Sequence, residues 1–420
     1  MRNITKRRRK SKRLGEAEDW SAMDLQNQPI DTKVELIRAL IPLGLMAMQE
    51  MLEAEVCALA GAHYSRGGEV YRHGTNPGSV KLQGQRHPVR VPRVRRRRGQ
   101  EVSLQSWTAL KQTGEPDETL LRRVLYGLSC RNYASAAEAL PGAIGLSSAS
   151  VSRAFVAATR EQLKAFRARD LSKLDLVAVF LDGKTFAEDT MVIALGVTMD
   201  GEKVPLGFIQ TDTENARVLT PFLRSLVDRG LDVSQGLLVI MDGAKGLRAA
   251  VRQAFSKYAV VQRCQWHKRE NVLAYLAKAQ QPIWRQRLQQ AYDRPTYQEA
   301  RAQFTQLHQE LSLLNESAAA SLREGLEETL TLHDLGIFPL LGASFKTTNC
   351  LESLNAMIEE RCGHVDHWKN SNQKHRWLAA ALTDIEPRLR RVQGYRHLPK
   401  LRMALLKALR IEPIIHKEAA

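Results

Sequence analysis

Five short apolar runs between residues 174 and 264, and what separates them, constrain this chain more than any other feature. The first three, LDLVAVFLDG, MVIALGVT and KVPLGFIQ, follow one another with little but turn residues between, so they read as strands in hairpin sequence. Residues 215–229 then carry apolar positions at helical spacing. GLLVIMDG is a fourth strand, residues 244–257 a second helix and YAVVQRC a fifth strand, followed by a helix from about His267. Strands in series, then strand, helix, strand, helix, fit neither an all-parallel nor an all-antiparallel sheet. The order predicts an α/β domain around a mixed sheet.

Three of the apolar runs end in Asp-Gly, at Asp182, Asp200 and Asp242. Asp200 lies between two alternating strands and reads as a two-residue hairpin turn. Asp242 ends a strand that leads straight into a helix, at the edge of the sheet where α/β folds place their sites. Asp182 ends the first strand with no strand pairing expected at once. The strand order is that of a ribonuclease-H-like fold, whose first and fourth strands are neighbours, so Asp182 and Asp242 are expected side by side. The plainer reading is two turn aspartates. Adjacent carboxylates repel, and a divalent cation relieves that repulsion. Mg²⁺ suits few carboxylates together with waters and phosphate oxygens, and Mn²⁺ is its substitute. Two such ions about 3.5–4 Å apart stabilise the entering and leaving oxygens of a phosphodiester displacement.

A third acid is open among Glu352, Glu188, Asp189 and Glu359. Asn349, Glu352 and Asn355 recur every three residues and share a helix face. Asn349 as N-cap with Glu352 three residues on also reads as a capping box, which leaves the carboxylate near a positive helix end. Cys264-Gln-Trp-His267 is half a zinc site with no second half in view. A histidine near a phosphodiester site, with Cys264 and Trp266 buried in support, competes with a core histidine. Trp284 reads first as core, and otherwise as a platform for an unpaired base.

Charge then narrows the partner. The 420 residues carry a net charge of +17, and residues 1–100 hold 20 basic and 10 acidic residues of that balance. Residues 276–344 are slightly acidic, with 6 basic and 8 acidic, while 345–420 have 14 and 8. Arg2 to Arg13 contains eight basic residues, and Val70 to Gln100 holds no acid. Arg93, Arg95, Arg96, Arg97 and Arg98 close that second run, in a β-like segment suited to lie along a phosphate backbone. Such runs are also what a solvated tail looks like. Residues 31–59 read as a helix broken or kinked at Pro42. Residues 133–140, a turn at 141–146 and residues 147–167 suit a helix-turn-helix, with Ser150, Ser152 and Arg153 near the start of its second helix; an ordinary helical hairpin is the alternative.

A 44% hydrophobic composition excludes global disorder, and no unbroken apolar run suits a membrane span. No secretory leader is visible, and five scattered cysteines suit a reducing compartment, so a cytoplasmic protein is expected. The organisation expected is a basic arm over 1–30 and a mostly helical DNA-binding region with a basic β segment over 31–170. A ribonuclease-H-like catalytic domain then occupies 174–275 and 345–395, with an all-α insertion over 276–344 and a tail over 396–420.

Four segments in this order, VFLDGK at Asp182, VIMDGAKGL at Asp242, QRCQWHKRENV and FKTTNCLESLN at Glu352, resemble the Mutator-type transposases of bacterial insertion sequences, within the DDE superfamily. Sixty residues separate the two aspartates, and 110 separate Asp242 from Glu352. The resemblance covers 174–395 firmly and 30–170 loosely. It implies Asp182, Asp242 and Glu352 as the catalytic metal ligands and Cys264/His267 as a signature near them. It also implies a bacterial, nucleoid-associated, metal-dependent DNA transposase that binds terminal inverted repeats, cuts strands and transfers them. Double-stranded DNA is the partner, membrane is not, and two ends call for a homodimer or larger assembly. The alternatives are a catalytically inactive DNA-binding regulator and a nuclease that cuts without joining.

Overall fold

The computed structural model describes residues 30–65, 68–82, 85–111, 118–127, 148–186, 188–211 and 215–412. The basic arm, the first helix and turn of the expected helix-turn-helix and the end of the tail lie outside the described residues. The chain divides into two compact units: one of residues 1–115 and 137–146, the other of 116–136 and 147–420.

In the first unit a helix, Ile30–Ala60, packs on a sheet of β1 (Val70–Leu82), β2 (Gln85–Arg96) and β3 (Glu101–Val102), all antiparallel. Of the break or kink expected at Pro42, the break does not occur: the helix runs through it. One lost N–H bond is outweighed where the next turns bury Leu52 and Val56 on the sheet. Along β2, Val89, Val91 and Val94 turn into this core while Arg86 and Arg90 face out. That alternation is why an arginine-rich stretch still forms a strand.

The second unit is built on a five-stranded mixed sheet of order β6-β5-β4-β7-β8. β4 (Leu176–Phe186), β5 (Asp189–Thr198) and β6 (Lys203–Thr211) run antiparallel. β7 (Leu237–Met241) and β8 (Ala259–Arg263) run parallel to β4. Leu176–Leu181 and all of β7 are buried, because both faces of the sheet are covered. On one face lie the helices Ala216–Asp228 and Lys245–Phe255, with Leu219, Leu223, Leu247 and Val251 packed on Val179, Leu181 and Val239. On the other, Phe180 stacks on Phe345 with ring centroids 5.7 Å apart.

Two local features depart from the sequence reading. β4 does not stop at Asp182; it continues to Phe186, paired throughout with β5 as far as Asp189. The β5–β6 turn holds three residues rather than two. Thr198 N–H bonds the Glu202 carbonyl, and Gly201 takes φ 81 between them.

Residues 276–344 are all-helical and carry a separate core that includes Leu288, Tyr292, Phe304, Leu307 and Leu322. Trp284 is 6% exposed within it, so it packs rather than offering a ring to a base. This helical segment is fastened to β8 and the helix after it by an ion group in which two buried cations meet one exposed carboxylate. Arg263 and Lys268 both reach the Glu324 carboxylate, at 2.9 and 3.1 Å. The helix Ser148–Ala168 packs on the helix Ser371–Ile385, with Phe155 against Trp377 and Arg376 donating to Thr159 at 2.9 Å. No described helix is long and apolar enough to cross a membrane.

Candidate active site

The site begins with register. Parallel pairing of β4 with β7 ends at Leu181 opposite Met241. The next residue after each is an aspartate, Asp182 still paired with Ile193 of β5 and Asp242 just past the end of β7, so the two stand level on neighbouring chain segments, which lie about 4.8 Å apart in any sheet. Asp242 turns the chain through Gly243, whose φ is 108, and accepts the Ala244 N–H at 2.9 Å. Arg263 fills the space beside Gly243, so no side chain fits there.

Burial lifts the Asp182 carboxyl, the charges of Asp242 and Glu352 add to the effect, and His267 opposes it; the result is a pKa of about 6. Glu352, exposed on the helix Asn349–Cys362, is thus within electrostatic reach of the aspartate pair. Lys184, two residues beyond Asp182, donates to the Asn355 carbonyl at 3.1 Å and pairs with Glu359 at 3.5 Å, which ties this helix to β4. The other acids open on sequence are placed elsewhere: Asp189 pairs with Lys374 at 2.7 Å, Glu359 with Lys184, and Glu188 sits in the β4–β5 turn at φ 74.

The capping box is not formed. Thr348 is the N-cap, and Asn349 is the first residue inside the helix and exposed. Glu352 therefore lies one turn above the cap and directs its carboxylate outward instead of back to the helix end. Asn355 Oδ1 is buried and, among the described residues, has no hydrogen-bond partner.

Cys264 is fully buried where β8 runs into the helix Gln265–Leu273. Its N–H donates to the Met241 carbonyl at 2.7 Å, and its sulfur accepts from the Thr348 hydroxyl at 3.8 Å. His267 faces the same sulfur. Contact with it, together with the charges of Asp182 and Asp242, outweighs burial and raises the imidazole to about 9. Burial would push the thiol up, but His267 holds it below its ordinary value. Trp266 is not the buried support expected: it is 44% exposed, its ring edge-on to His267 at 4.9 Å. It is the second residue of its helix, and Gln265 and Lys268 take the inward face instead.

Among the described residues, no three His, Cys, Asp or Glu side chains form a ready-made metal cage, and Cys264–His267 gains no further zinc ligand. The donor set at the sheet edge is nonetheless all carboxylate oxygen, which suits a hard divalent cation. Asp182 is elevated first by burial and then by its like-charged neighbours, and a cation would offset both.

Of the basic residues picked from sequence, Arg93 is held bidentate by Glu101, at 2.6 and 3.1 Å. Arg95 is half-buried, whereas Arg96, Arg97 and Arg98 are exposed at the end of β2 and in the turn after it. Ser152 and Arg153 are exposed on the helix Ser148–Ala168; the Ser150 side chain lies outside the described residues. Sequence reasoning missed Thr348 and Lys184. Both stand within quoted motifs, but their roles depend on partners 84 and 171 residues away.

A family model described as Transposase, Mutator family, matches residues 16–391. The transposase for insertion sequence element IS6120 of Mycolicibacterium smegmatis is 29% identical over 251 residues, 58% of this chain and 76% of the relative. The transposase for IS256 in transposon Tn4001 of Staphylococcus aureus is 28% identical over 284 residues, 64% of this chain and 69% of the relative. The transposase for ISRM5 of Rhizobium meliloti is 28% identical over 377 residues, 86% and 92% of the two chains.

Proposed function

The chain belongs to the Mutator family of transposases, and from that premise we propose that it cuts DNA at the ends of a mobile element and joins them to a target. Both reactions use one carboxylate site at the β4/β7 edge, with Asp182, Asp242 and Glu352 as the catalytic residues. The observation that carries this reading is the register that ends β4/β7 pairing at Leu181 and Met241. The strand order β6-β5-β4-β7-β8, antiparallel on one side and parallel on the other, supports a ribonuclease-H-like domain interrupted by the helical insert.

The three carboxylates would hold two Mg²⁺ ions, with Mn²⁺ as a substitute, and the metal supplies neutralisation of the charge that develops on the phosphoryl oxygens. In the first step water attacks the phosphorus at the element end. The bond to the 3′-oxygen breaks, leaving a 3′-hydroxyl on the element and a 5′-phosphate on the flank. In the second, that 3′-oxygen attacks a target phosphodiester and displaces a target 3′-oxygen, so one phosphodiester replaces another without an outside energy source. The protein's part is chiefly to hold the reacting groups in line. His267, raised to about 9, carries positive charge beside the aspartates at neutral pH and so favours an approaching phosphodiester. Arg96, Arg97 and Arg98, with Arg93 and Arg95 behind them and the helix bearing Ser150, Ser152 and Arg153, would contact double-stranded end DNA. Pairing two ends calls for at least a dimer.

The test incubates the protein with Mg²⁺ and DNA carrying the element ends. Cut and joined products are expected. Cut products alone mean a nuclease, and binding without cutting means a regulator. Asp182→Asn should abolish cleavage, by at least about 10³-fold, and leave end binding within about twofold. Cleavage by that variant at the wild-type rate removes Asp182 from the site.

A further inference from the structure

Asp242 and Glu352 arrive from parts of the chain 110 residues apart, and a short chain of contacts joins their backbones. The Met241 carbonyl, next to Asp242, accepts the Cys264 N–H at 2.7 Å. The Cys264 sulfur accepts the Thr348 hydroxyl at 3.8 Å. The Thr348 carbonyl accepts the Glu352 N–H at 3.2 Å. Beside this path Gln265 N–H donates to the Lys346 carbonyl at 2.9 Å. Cys264 and Thr348 are both 0% exposed.

We propose that Cys264 and Thr348 form a clasp that fixes the helix bearing Glu352 against the strand end bearing Asp242, and so sets the spacing of the two carboxylates. Both are positioning residues: the Thr348 hydroxyl is bonded to Cys264, and the Cys264 sulfur meets Thr348 and His267. A threonine that only filled space would be served equally by valine, and burying its hydroxyl costs free energy unless that hydroxyl is bonded. The contact is also well placed to transmit position. The cap of a helix decides where its first turn starts, and Glu352 stands on that turn. Outer contacts of this kind typically change metal affinity or activity by about 10–100-fold. The proposal rests on the reading of Glu352 as the third carboxylate.

The experiment uses the full chain and four variants: Thr348→Val, Thr348→Ser, Cys264→Ala and Thr348→Val with Cys264→Ala. Mg²⁺ binding to the DNA-free protein is followed by calorimetry, and strand cleavage is titrated with Mg²⁺. End binding and urea unfolding report on the rest of the molecule. Thr348→Val and Cys264→Ala should each weaken Mg²⁺ binding, and raise the Mg²⁺ needed for half-maximal cleavage, by about tenfold or more. End binding should stay within about twofold, and Thr348→Ser should lie within about threefold of wild type. Because Thr348 acts through Cys264, which also meets His267, the double variant should be no worse than Cys264→Ala alone. Wild-type Mg²⁺ binding by Thr348→Val overturns the clasp. So does a Thr348→Ser as impaired as Thr348→Val, or a double variant whose losses multiply. If Thr348→Val does not fold, Cys264→Ala and Thr348→Ser decide by the same thresholds. Glu352→Gln, run alongside, separates the two failures. If it binds Mg²⁺ and cleaves like wild type, the site assignment falls and the clasp with it. If it is inactive while Thr348→Val is normal, only the clasp falls.

Discussion

Asp182 shows at the scale of one residue how a site opposes the stability of the chain that carries it. Its carboxyl is lifted from 3.8 to about 6 by burial and by Asp242 and Glu352. Below about pH 4 the group is protonated in folded and unfolded chains alike, and nothing is lost. As pH rises from 4 through 6 the unfolded chain releases this proton more readily, so stability falls, and the full penalty is present above 6. Asp182→Asn should therefore stabilise the metal-free protein at pH 8 by roughly 1–3 kcal/mol, an advantage that disappears near pH 4. Urea unfolding with a chelator at the two pH values measures this, and Mg²⁺ should narrow the gap by stabilising only the wild type. Equal stability of the two proteins at pH 8 would mean that neither burial nor the neighbouring carboxylates lift Asp182. Asp182 and Asp242 were legible in the sequence as Asp-Gly pairs after apolar runs. Trp266 was misjudged because apolar character predicts burial only on average. The residue's position on the helix decides it, and here the inward face belongs to Gln265 and Lys268.

At the scale of an element, the turn after β7 is held by a backbone that few residues adopt. Gly243 takes φ 108, and a Cβ there would lie 1.9 Å from Arg263 Nε. Gly243→Ala should cost more than about 2 kcal/mol, since it combines an unfavourable backbone with displacement of the buried Arg263. Gly74 offers the comparison: its φ is 71 but nothing lies within 4 Å, so Gly74→Ala should cost only about 1 kcal/mol. Urea midpoints of the two variants give the difference, and equal losses would show that Arg263 moves aside freely. The strands themselves were readable because alternation and unbroken apolar runs are local properties. Their ends were not. β4 runs on to Phe186 because β5 supplies partners as far as Asp189, and the cap before Glu352 falls on Thr348, whose hydroxyl goes to Cys264 and not to the helix end.

The whole molecule carries a net charge of +17, and Arg96, Arg97 and Arg98 are exposed where the proposed contact with DNA would form. End binding should weaken steeply with salt, about 10³–10⁵-fold between 50 and 200 mM if six to ten phosphates are contacted. Replacing Arg96, Arg97 and Arg98 by alanine should lower the slope of log affinity on log salt by up to about 3. Arg93→Ala should change it less, because Glu101 already neutralises that side chain. A flat salt response would remove the phosphate backbone from the interface. The arginine run and its strand character were legible together, whereas the ion pair that withdraws Arg93 was not. Glu101 lies eight residues on and meets Arg93 only once β3 folds back on β2.

By itself the sequence determined the kinds of elements, their order, the mixed sheet and the candidate aspartates, since periodicity, turn chemistry and residue type are all written within a few positions. The family, too, is a property of motif order along the chain. Only the tertiary structure decided that Asp182 and Asp242 stand level where β4/β7 pairing ends, that Glu352 comes within reach of their charge, and that Cys264 and Thr348 meet. Each of these joins residues between 60 and 170 positions apart. Such contacts exist because two faces of one sheet had to be covered, and burying the apolar runs of β4 and β7 fixed which helices lie beside them.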